Sequence, residues 1–258
     1  MDGAPQVCVL LPCLNEQQAL PGLLAQLDML APKLQPHWQL SALVVDDGST
    51  DGTAEVARRA CGQLQVELVQ HARNMGLGAA LATGMRHFVE SGDPRQRQPN
   101  DALAVMDADG THPPALLAAM LPLLSQYDVV SASRYARGGA EHGLSARRRL
   151  YSKLASVGMG MICPVRGARD YSCGYRVYSR GILENAVSHY GERLVTERGF
   201  TCMAELLCKL ARRGARCAEV PLELHYELKA GASKMNVPAT IRRYVVLAAR
   251  LLFDPRFR

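Results

Sequence analysis

The 258-residue chain predicts an α/β fold, an open and mostly parallel β-sheet flanked by helices. Two patterns carry that expectation. Through roughly the first 135 residues, short apolar runs of strand length alternate with segments of helical apolar periodicity. The polar clusters at 13–16, 46–51, 107–109 and 133–135 also fall at the ends of such runs, as expected when a ligand crevice lies beyond the carboxyl ends of the strands. The composition agrees: 48% hydrophobic and 21% charged residues is the balance of a folded globular protein. No Gly-, Pro- or Ser-rich linker divides the chain.

Taken in order, VCVLLP (7–12) and LSALVVDD (40–47) are continuous apolar runs, which suits strands buried on both faces. Between them, residues 16–34 carry leucines at 20, 23, 24, 27 and 30 on one helical stripe. A second helix, 53–63, opens at the Ser49–Thr53 cluster, where Asp51 is expected to cap it. Strand 66–70, helix 78–91 and strand 102–109 follow. His112-Pro113-Pro114 then leads a leucine-rich helix to Ser125, and DVVSAS (128–133) is the next strand. The second half is less regular. It reads as a basic loop (136–150), an apolar helix (151–163), a Gly/Arg-rich stretch (166–176), a helix (200–213), a strand (216–222) and a basic amphipathic helix (238–253). That last helix is expected to pack Tyr244, Val245, Leu247, Ala248 and Leu251 on the body. The competing arrangement lays it on an anionic membrane with Arg242, Arg243 and Arg250 near head groups.

The net charge of +6 suits an anionic partner. Aromatics are only 5%, and no basic run interleaves with stacking residues, which argues against nucleic acid. The eight cysteines show no CxxC spacing and several lie in apolar runs, as buried free thiols do in a reducing compartment. The first residues, MDGAPQVCVLLP, lack the pattern of a signal peptide, and no run reaches membrane-spanning length. A cytoplasmic location, with peripheral membrane contact still open, is the expectation.

The chemistry concentrates in MDADG. Asp107 and Asp109 lie two apart at the end of an expected strand, where side chains at i and i+2 point the same way. Two carboxylates in one crevice repel unless a cation bridges them or one is protonated. A hard divalent ion, Mg²⁺ or Mn²⁺, with open positions for phosphate oxygens would suit them; a solvated turn is the competing reading of these residues alone. LPCLNE and VVDDGSTDGT bring further polar groups to the same edge, where a carboxylate can accept from a base or ribose. The glycines of NMGLGA offer places for close backbone approach to a ligand. Arg147, Arg148, Arg149 and Lys153, beside a Gly-rich loop, point to phosphate recognition rather than a merely solvated charge run. Histidines 71, 87, 112, 142, 189 and 225 show no metal-ligand spacing and read as structural or surface residues.

In that order and spacing, LPCLNE, VVDDGSTDGT, RNMGLGAA, DADGTHPP and SRY resemble the family 2 inverting glycosyltransferases of the GT-A fold. SRYARGG, RRRLYSK, DYSCGYRVYSR and GASKM are similar to the dolichyl- or polyprenyl-phosphate mannose synthase branch, and the likeness runs over about residues 7–236. The resemblance implies a GT-A domain with a nucleotide-sugar half (1–135), an acceptor half (136–236) and a C-terminal basic amphipathic helix (237–258). It implies that Pro12, Asn15, Glu16 and Asp47, assisted by Asp46, hold the nucleotide, with Asp107 beside it. Asp107 and Asp109 would bind the metal that bridges the donor diphosphate. Arg134, Arg148 and Ser152 would grip the acceptor phosphate, and Lys234 would neutralise the leaving diphosphate. The catalytic groups would then be Asp109, Arg134 and Lys234. The implied activity is metal-dependent transfer of a hexose, mannose from GDP-mannose, onto a polyprenyl or dolichyl phosphate. Such chemistry is coherent: a metal and a lysine stabilise the departing diphosphate, and an anionic phosphate nucleophile needs no strong general base. Two positions depart from the branch. Thr111 stands where a glutamine is common, and Leu228 where an arginine is common. They leave open a soluble acceptor, or a non-catalytic nucleotide-sugar-binding subunit.

Overall fold

The computed structural model describes residues 4–60, 62–91, 97–228, 237–254 and 257. In chain order its elements begin β1 (Gln6–Cys13), α1 (Leu20–Leu34), β2 (Gln39–Asp46), α2 (Thr53–Arg58), β3 (Gln65–Gln70), α3 (Leu77–Glu90), β4 (Ala102–Val105) and α4 (Leu117–Met120). They continue with β5 (Val129–Ser133), β6 (Ala140–His142), α5 (Ala146–Ile162), β7 (Arg176–Ser179), α6 (Arg180–Tyr190) and α7 (Cys202–Arg212). β8 (Cys217–Pro221), β9 (Glu223–His225) and α8 (Val237–Phe253) complete the order.

A seven-stranded sheet runs β3-β2-β1-β4-β7-β5-β8, and β6 pairs with β9 in a separate ribbon. Within the large sheet β7 alone is antiparallel to its neighbours. The expected open, mostly parallel sheet is therefore present. Val7, Val9, Leu10 and Leu11 of β1 are fully buried, because helices cover both faces of the sheet. One core joins α3, α6, α7 and α8 to one face, and the other packs α1 on the opposite face.

Several expected elements differ in the structure, each for a physical reason. α2 ends at Arg58 rather than residue 63, and the chain beyond is caught by Asp28, whose carboxylate accepts the Gln63 and Leu64 N–H groups. The leucine-rich helix before β5 is broken into 3₁₀ turns on either side of the four-residue α4. Pro114 and Pro122 supply no N–H to a continuous helix. β4 stops at Val105, so Asp107 and Asp109 sit in a turn beyond the strand rather than at extended i and i+2 positions. β7 and α6 were not expected. β7 is short and opens on Arg176, which is fully buried and donates to the carbonyls of Met203, Asp170 and Tyr171. A charged residue at the start of a four-residue run hides a buried strand. Because β7 and β8 enter the same sheet as β1 to β5, the two halves share that sheet and the core on each of its faces.

Two further expectations are corrected. α8 docks through Leu247 and Leu251, but Val245 is 67% exposed. At about 100° per residue, a position two before Leu247 lies on the opposite side of the helix. The glycines at 76 and 78 accommodate protein, not ligand: a Cβ on Gly76 would lie 2.6 Å from the Arg198 carbonyl oxygen, and one on Gly78 would lie 1.8 Å from that of Glu197. Gly76 also has a φ of 99°, which favours glycine. No helix among the described residues is long and apolar enough to cross a membrane.

Candidate active site

The crevice edge begins where β1 and β2 end side by side, with Cys13 in register with Asp46. Asn15 adopts a left-handed conformation (φ 54°), and its backbone N–H donates to Ser49 Oγ at 2.9 Å. Its Oδ1 accepts the Thr50 N–H at 2.8 Å, and the Glu16 N–H donates to Thr53 Oγ1 at 2.8 Å. Asp51 accepts the Thr53 N–H at 3.0 Å, the Thr53 hydroxyl and the Gln17 N–H at 3.2 Å, so it fixes the start of α2 and ties it to the first loop. Burial alone would raise its carboxyl pKa, but these bonds together outweigh that and hold it below the ordinary value.

Asp46 and Asp47 are both buried here. Asp46 accepts from the Ser49 N–H at 3.0 Å and Gln70 Nε2 at 3.1 Å. Asp47 accepts the Met75 and Gly76 N–H groups at 2.9 and 2.7 Å and meets His71 Nδ1 at 2.7 Å. Both carboxylates thus stand at the predicted edge with oxygens turned to protein donors: Asp46 ties the Ser49 turn to β3, and Asp47 organises the 71–76 loop. Pro12 and Glu16 are half-buried and Asn15 is exposed on the same edge.

Asp107 and Asp109 line a cavity of about 180 Å³ together with Thr111, His112, Arg134, Arg148 and Ser152. The sequence-predicted metal pair and acceptor group therefore meet in one pocket. The Asp109 Oδ1 accepts both the N–H and the hydroxyl of Thr111, at 3.1 and 2.6 Å. Thr111 accordingly orients the carboxylate. His112 Nδ1 accepts the Asp107 N–H at 3.0 Å, so its ring proton sits on Nε2, 4.0 Å from Asp107 Oδ2. The imidazole stacks on Tyr175 with centroids 5.2 Å apart. Sequence reasoning missed His112, although it directly follows the DADGT segment. The Asp107 side chain remains 33% exposed. Two carboxylates opening into one pocket, with the neighbouring imidazole presenting a proton in this arrangement, form an oxygen donor set that fits a hard divalent cation.

The other end of the pocket is built around Arg134, at the end of β5. Its guanidinium makes a two-pronged pair with Asp170, Nε to Oδ2 at 2.7 Å and Nη2 to Oδ1 at 2.8 Å. It also donates to Glu141 at 2.9 Å and to Ser172 Oγ at 2.6 Å. Four of its five N–H donors are thereby engaged within the protein. Burial pushes the Glu141 carboxyl above its ordinary value despite the pull of Arg134. Ser172 Oγ lies 3.3 Å from Ser152 Oγ, which accepts the Tyr135 hydroxyl at 3.0 Å. Burial raises the Tyr135 pKa, so the phenol stays a neutral donor. Asp170, Glu141 and Tyr135 are site residues that sequence reasoning did not single out.

Arg148 differs from Arg134. Its N–H is accepted by the N-cap Ser145 at 3.4 Å, while its guanidinium reaches the pocket wall and forms no ion pair with a described residue. Leu144, Tyr151, Phe200, Leu224 and Ile241 give the same pocket an apolar side. Lys234 and the rest of GASK lie outside the described residues, as does Lys229; Leu228 ends a 3₁₀ turn at Tyr226–Leu228.

The family model described as glycosyl transferase family 2 matches residues 8–186, which takes in the β1 edge, the DAD turn and Arg134. The chain belongs to glycosyl transferase family 2. It is similar to the polyprenol monophosphomannose synthase of Mycolicibacterium smegmatis, 31% identical over 231 residues, 88% of this chain and 80% of that protein. It is also similar to the undecaprenyl-phosphate mannosyltransferase of Micrococcus luteus, 30% identical over 90% of this chain and 88% of that one. Among solved structures, glucosyl-3-phosphoglycerate synthase from Mycobacterium tuberculosis, in complex with Mn²⁺, UDP-glucose and phosphoglyceric acid, superposes with a TM-score of 0.68. At 19% identity, covering 97% of this chain and 81% of that one, it establishes the shared GT-A fold. The protein is thus a glycosyltransferase whose DAD turn and Arg134 network lie within the family's matched region or beside it.

Proposed function

We propose that this glycosyltransferase is metal-dependent and inverting, and moves a hexose, mannose from GDP-mannose, onto a polyprenyl phosphate. The observation that carries the reading is one pocket joining the DAD turn to Arg148, which forms no ion pair with a described residue, a serine pair and an apolar wall. A phosphate-headed lipid has that combination of charge and apolar surface, and both relatives are named for polyprenyl-phosphate chemistry. Asp107 and Asp109 would hold Mg²⁺ or Mn²⁺, which when bound supplies positive charge against the donor diphosphate. Thr111 holds Asp109 in orientation, and the Pro12–Glu16 and Asp46–Asp47 edge takes the nucleotide side. Arg148 and Ser152 meet the acceptor phosphate, while Arg134 keeps the serine pair in place and contributes its remaining N–H. Lys234 is assigned to the leaving diphosphate. An acceptor phosphate arrives already anionic, so no strong base is required of the pocket.

Labelled GDP-mannose, Mg²⁺ or Mn²⁺ and undecaprenyl phosphate in detergent should yield a lipid-linked mannose. Transfer only to a water-soluble acceptor would overturn the acceptor assignment, and transfer only from another nucleotide sugar would overturn the donor. Arg148→Ala should raise the acceptor KM about tenfold and leave the donor KM unchanged, as loss of one charge-assisted phosphate contact requires. Equal effects on both substrates would remove Arg148 from the acceptor subsite.

Peripheral membrane contact belongs to the same proposal. Leu150, Leu154, Val157 and Met161 form an exposed stripe along α5, and α8, packed against it, exposes Ile241, Val245 and Val246. Arg147, Arg149 and Lys153 are exposed on α5 beside that stripe. An apolar helical face edged with cations, next to a lipid-accepting pocket, suits an anionic bilayer surface. Vesicles containing phosphatidylglycerol should sediment the wild type, and Leu154→Glu with Val157→Glu should weaken that binding by at least about tenfold. Equal sedimentation of both proteins would refute the contact. Arg250 is not available to such a surface, because it pairs with Glu197 at 3.0 Å.

A further inference from the structure

We propose a second metal site on the outer face of the β6–β9 ribbon, built from His142, Glu223 and His225 and suited to Zn²⁺ or a similar imidazole-binding ion. The register places His142 directly beside His225, and Glu223, two residues before His225, shares their face. The two rings lie parallel, with centroids 4.5 Å apart and an interplanar angle of 12°. One ligand atom from each of the three side chains falls within 4.8 Å of the others.

A second contact sets the chemistry of the cluster. Glu227 Oε1 lies 2.8 Å from His225 Nδ1. That carboxylate draws the ring proton to Nδ1 and leaves the Nε2 lone pair facing Glu223 Oε2, 4.0 Å away. A carboxylate behind a histidine whose other nitrogen faces the ligand gap is the support that metal-binding histidines commonly have. Tetrahedral ligands at about 2.0–2.2 Å from zinc stand roughly 3.4 Å apart, so rotation of the exposed Glu223 and His142 side chains closes the gap. Two imidazoles and one carboxylate, with a fourth position for water, form a borderline donor set. It prefers Zn²⁺ to the Mg²⁺ or Mn²⁺ favoured by an all-oxygen pair such as Asp107 and Asp109.

The location gives the site a role. On the inner face of the same ribbon, Glu141 accepts from Arg134 and Leu224 lines the acceptor pocket. A metal joining β6 to β9 would fix the strand that carries Glu141 against the one that carries Leu224. The site itself does not depend on the acceptor reading, because its ligands lie outside that pocket.

The test uses the full chain carrying Asp107→Asn and Asp109→Asn, which removes the carboxylate pair and leaves the ribbon intact. Titration with Co²⁺ should give one equivalent bound with the visible absorption of a tetrahedral ion, displaced by Zn²⁺ and not by Mg²⁺. His142→Ala or His225→Ala in that background should abolish the band. Glu227→Gln should weaken binding about 10- to 100-fold, as loss of a supporting carboxylate does. Circular dichroism checks that each variant is folded. Unchanged Co²⁺ stoichiometry and affinity in the histidine variants would overturn the site, as would parent affinity weaker than roughly micromolar. Failure of the wild-type chain to transfer sugar to undecaprenyl phosphate, with the band present in the Asp107→Asn, Asp109→Asn chain, would count against the proposed acceptor reading alone.

Discussion

Asp109→Asn lowers kcat by about 10³ or more, with a melting temperature within a few degrees of the wild type. The substitution keeps the side-chain volume and an oxygen at the Oδ1 position, where Thr111 donates both its N–H and its hydroxyl. The turn after β4 therefore retains its local bonds. What is lost is one of the two negative charges that would hold a divalent ion against a leaving diphosphate. Loss of a single well-placed electrostatic group costs about 10²–10³ in turnover, and a metal ligand stands at or above the top of that range. Steady-state rates at saturating donor and acceptor, across Mg²⁺ and Mn²⁺ concentrations, measure the effect. The wild type should show a thermal shift with Mn²⁺ and GDP, because a ligand that binds only the native state raises its stability, and the variant should not. A variant turning over at the wild-type rate would remove the metal from the DAD turn.

The parts of this molecule legible in its sequence are those whose physics is local. β1 and β2 read as buried strands because both their faces are covered, which leaves unbroken runs of Val and Leu. The Ser49–Thr53 turn read as a helix start because Asp51 bonds within two residues of itself. The DAD pair and Arg148 were legible as candidates for one site, and they line one pocket from the segments that carry the motifs. What stayed hidden depends on contacts distant in the chain. Arg134 read as a phosphate ligand, but nothing local showed that Asp170 and Glu141 would engage most of its guanidinium. Gly76 and Gly78 looked like a ligand cradle, yet the neighbour they admit is the backbone at Glu197 and Arg198. His142 and His225 show no spacing at all, because only the β6–β9 register brings them together. β7 was invisible because its buried arginine is satisfied by carbonyls from elsewhere in the fold.

Asp170→Ala should destabilise the protein by about 3–5 kcal/mol, the cost of leaving one member of a buried ion pair without its partner. Asp170 is fully buried and accepts from Arg134 Nε and Nη2, from the N–H groups of Ser172 and Cys173 at 3.1 and 3.0 Å, and from the Ser172 hydroxyl at 3.1 Å. Alanine removes all of these acceptors at once and leaves Arg134 with Glu141 as its carboxylate partner. For a chain of this size the melting temperature should fall by roughly 10 °C or more. The pH dependence has a definite sign. Burial alone would raise the Asp170 carboxyl, but the Arg134 charge and hydrogen bonds, with the Ser172 N–H, outweigh it and hold the folded pKa below the ordinary value. A carboxyl depressed in the folded state contributes its stability above the unfolded pKa, about 4, and loses it as pH falls through the folded value. The wild type should therefore lose stability more steeply below about pH 4 than Asp170→Ala does, as read from melting temperatures across pH 2–6. Replacing both partners separates the pair from its surroundings. Arg134→Met with Asp170→Ala should be more stable than Asp170→Ala alone, since the buried guanidinium that lost its two-pronged partner is gone and Glu141, whose carboxyl burial already raises, can take up a proton. If the double variant is instead less stable by the sum of the two single losses, Arg134 and Asp170 act independently. The serine pair at the acceptor end of the pocket would then owe its position to something other than their contact.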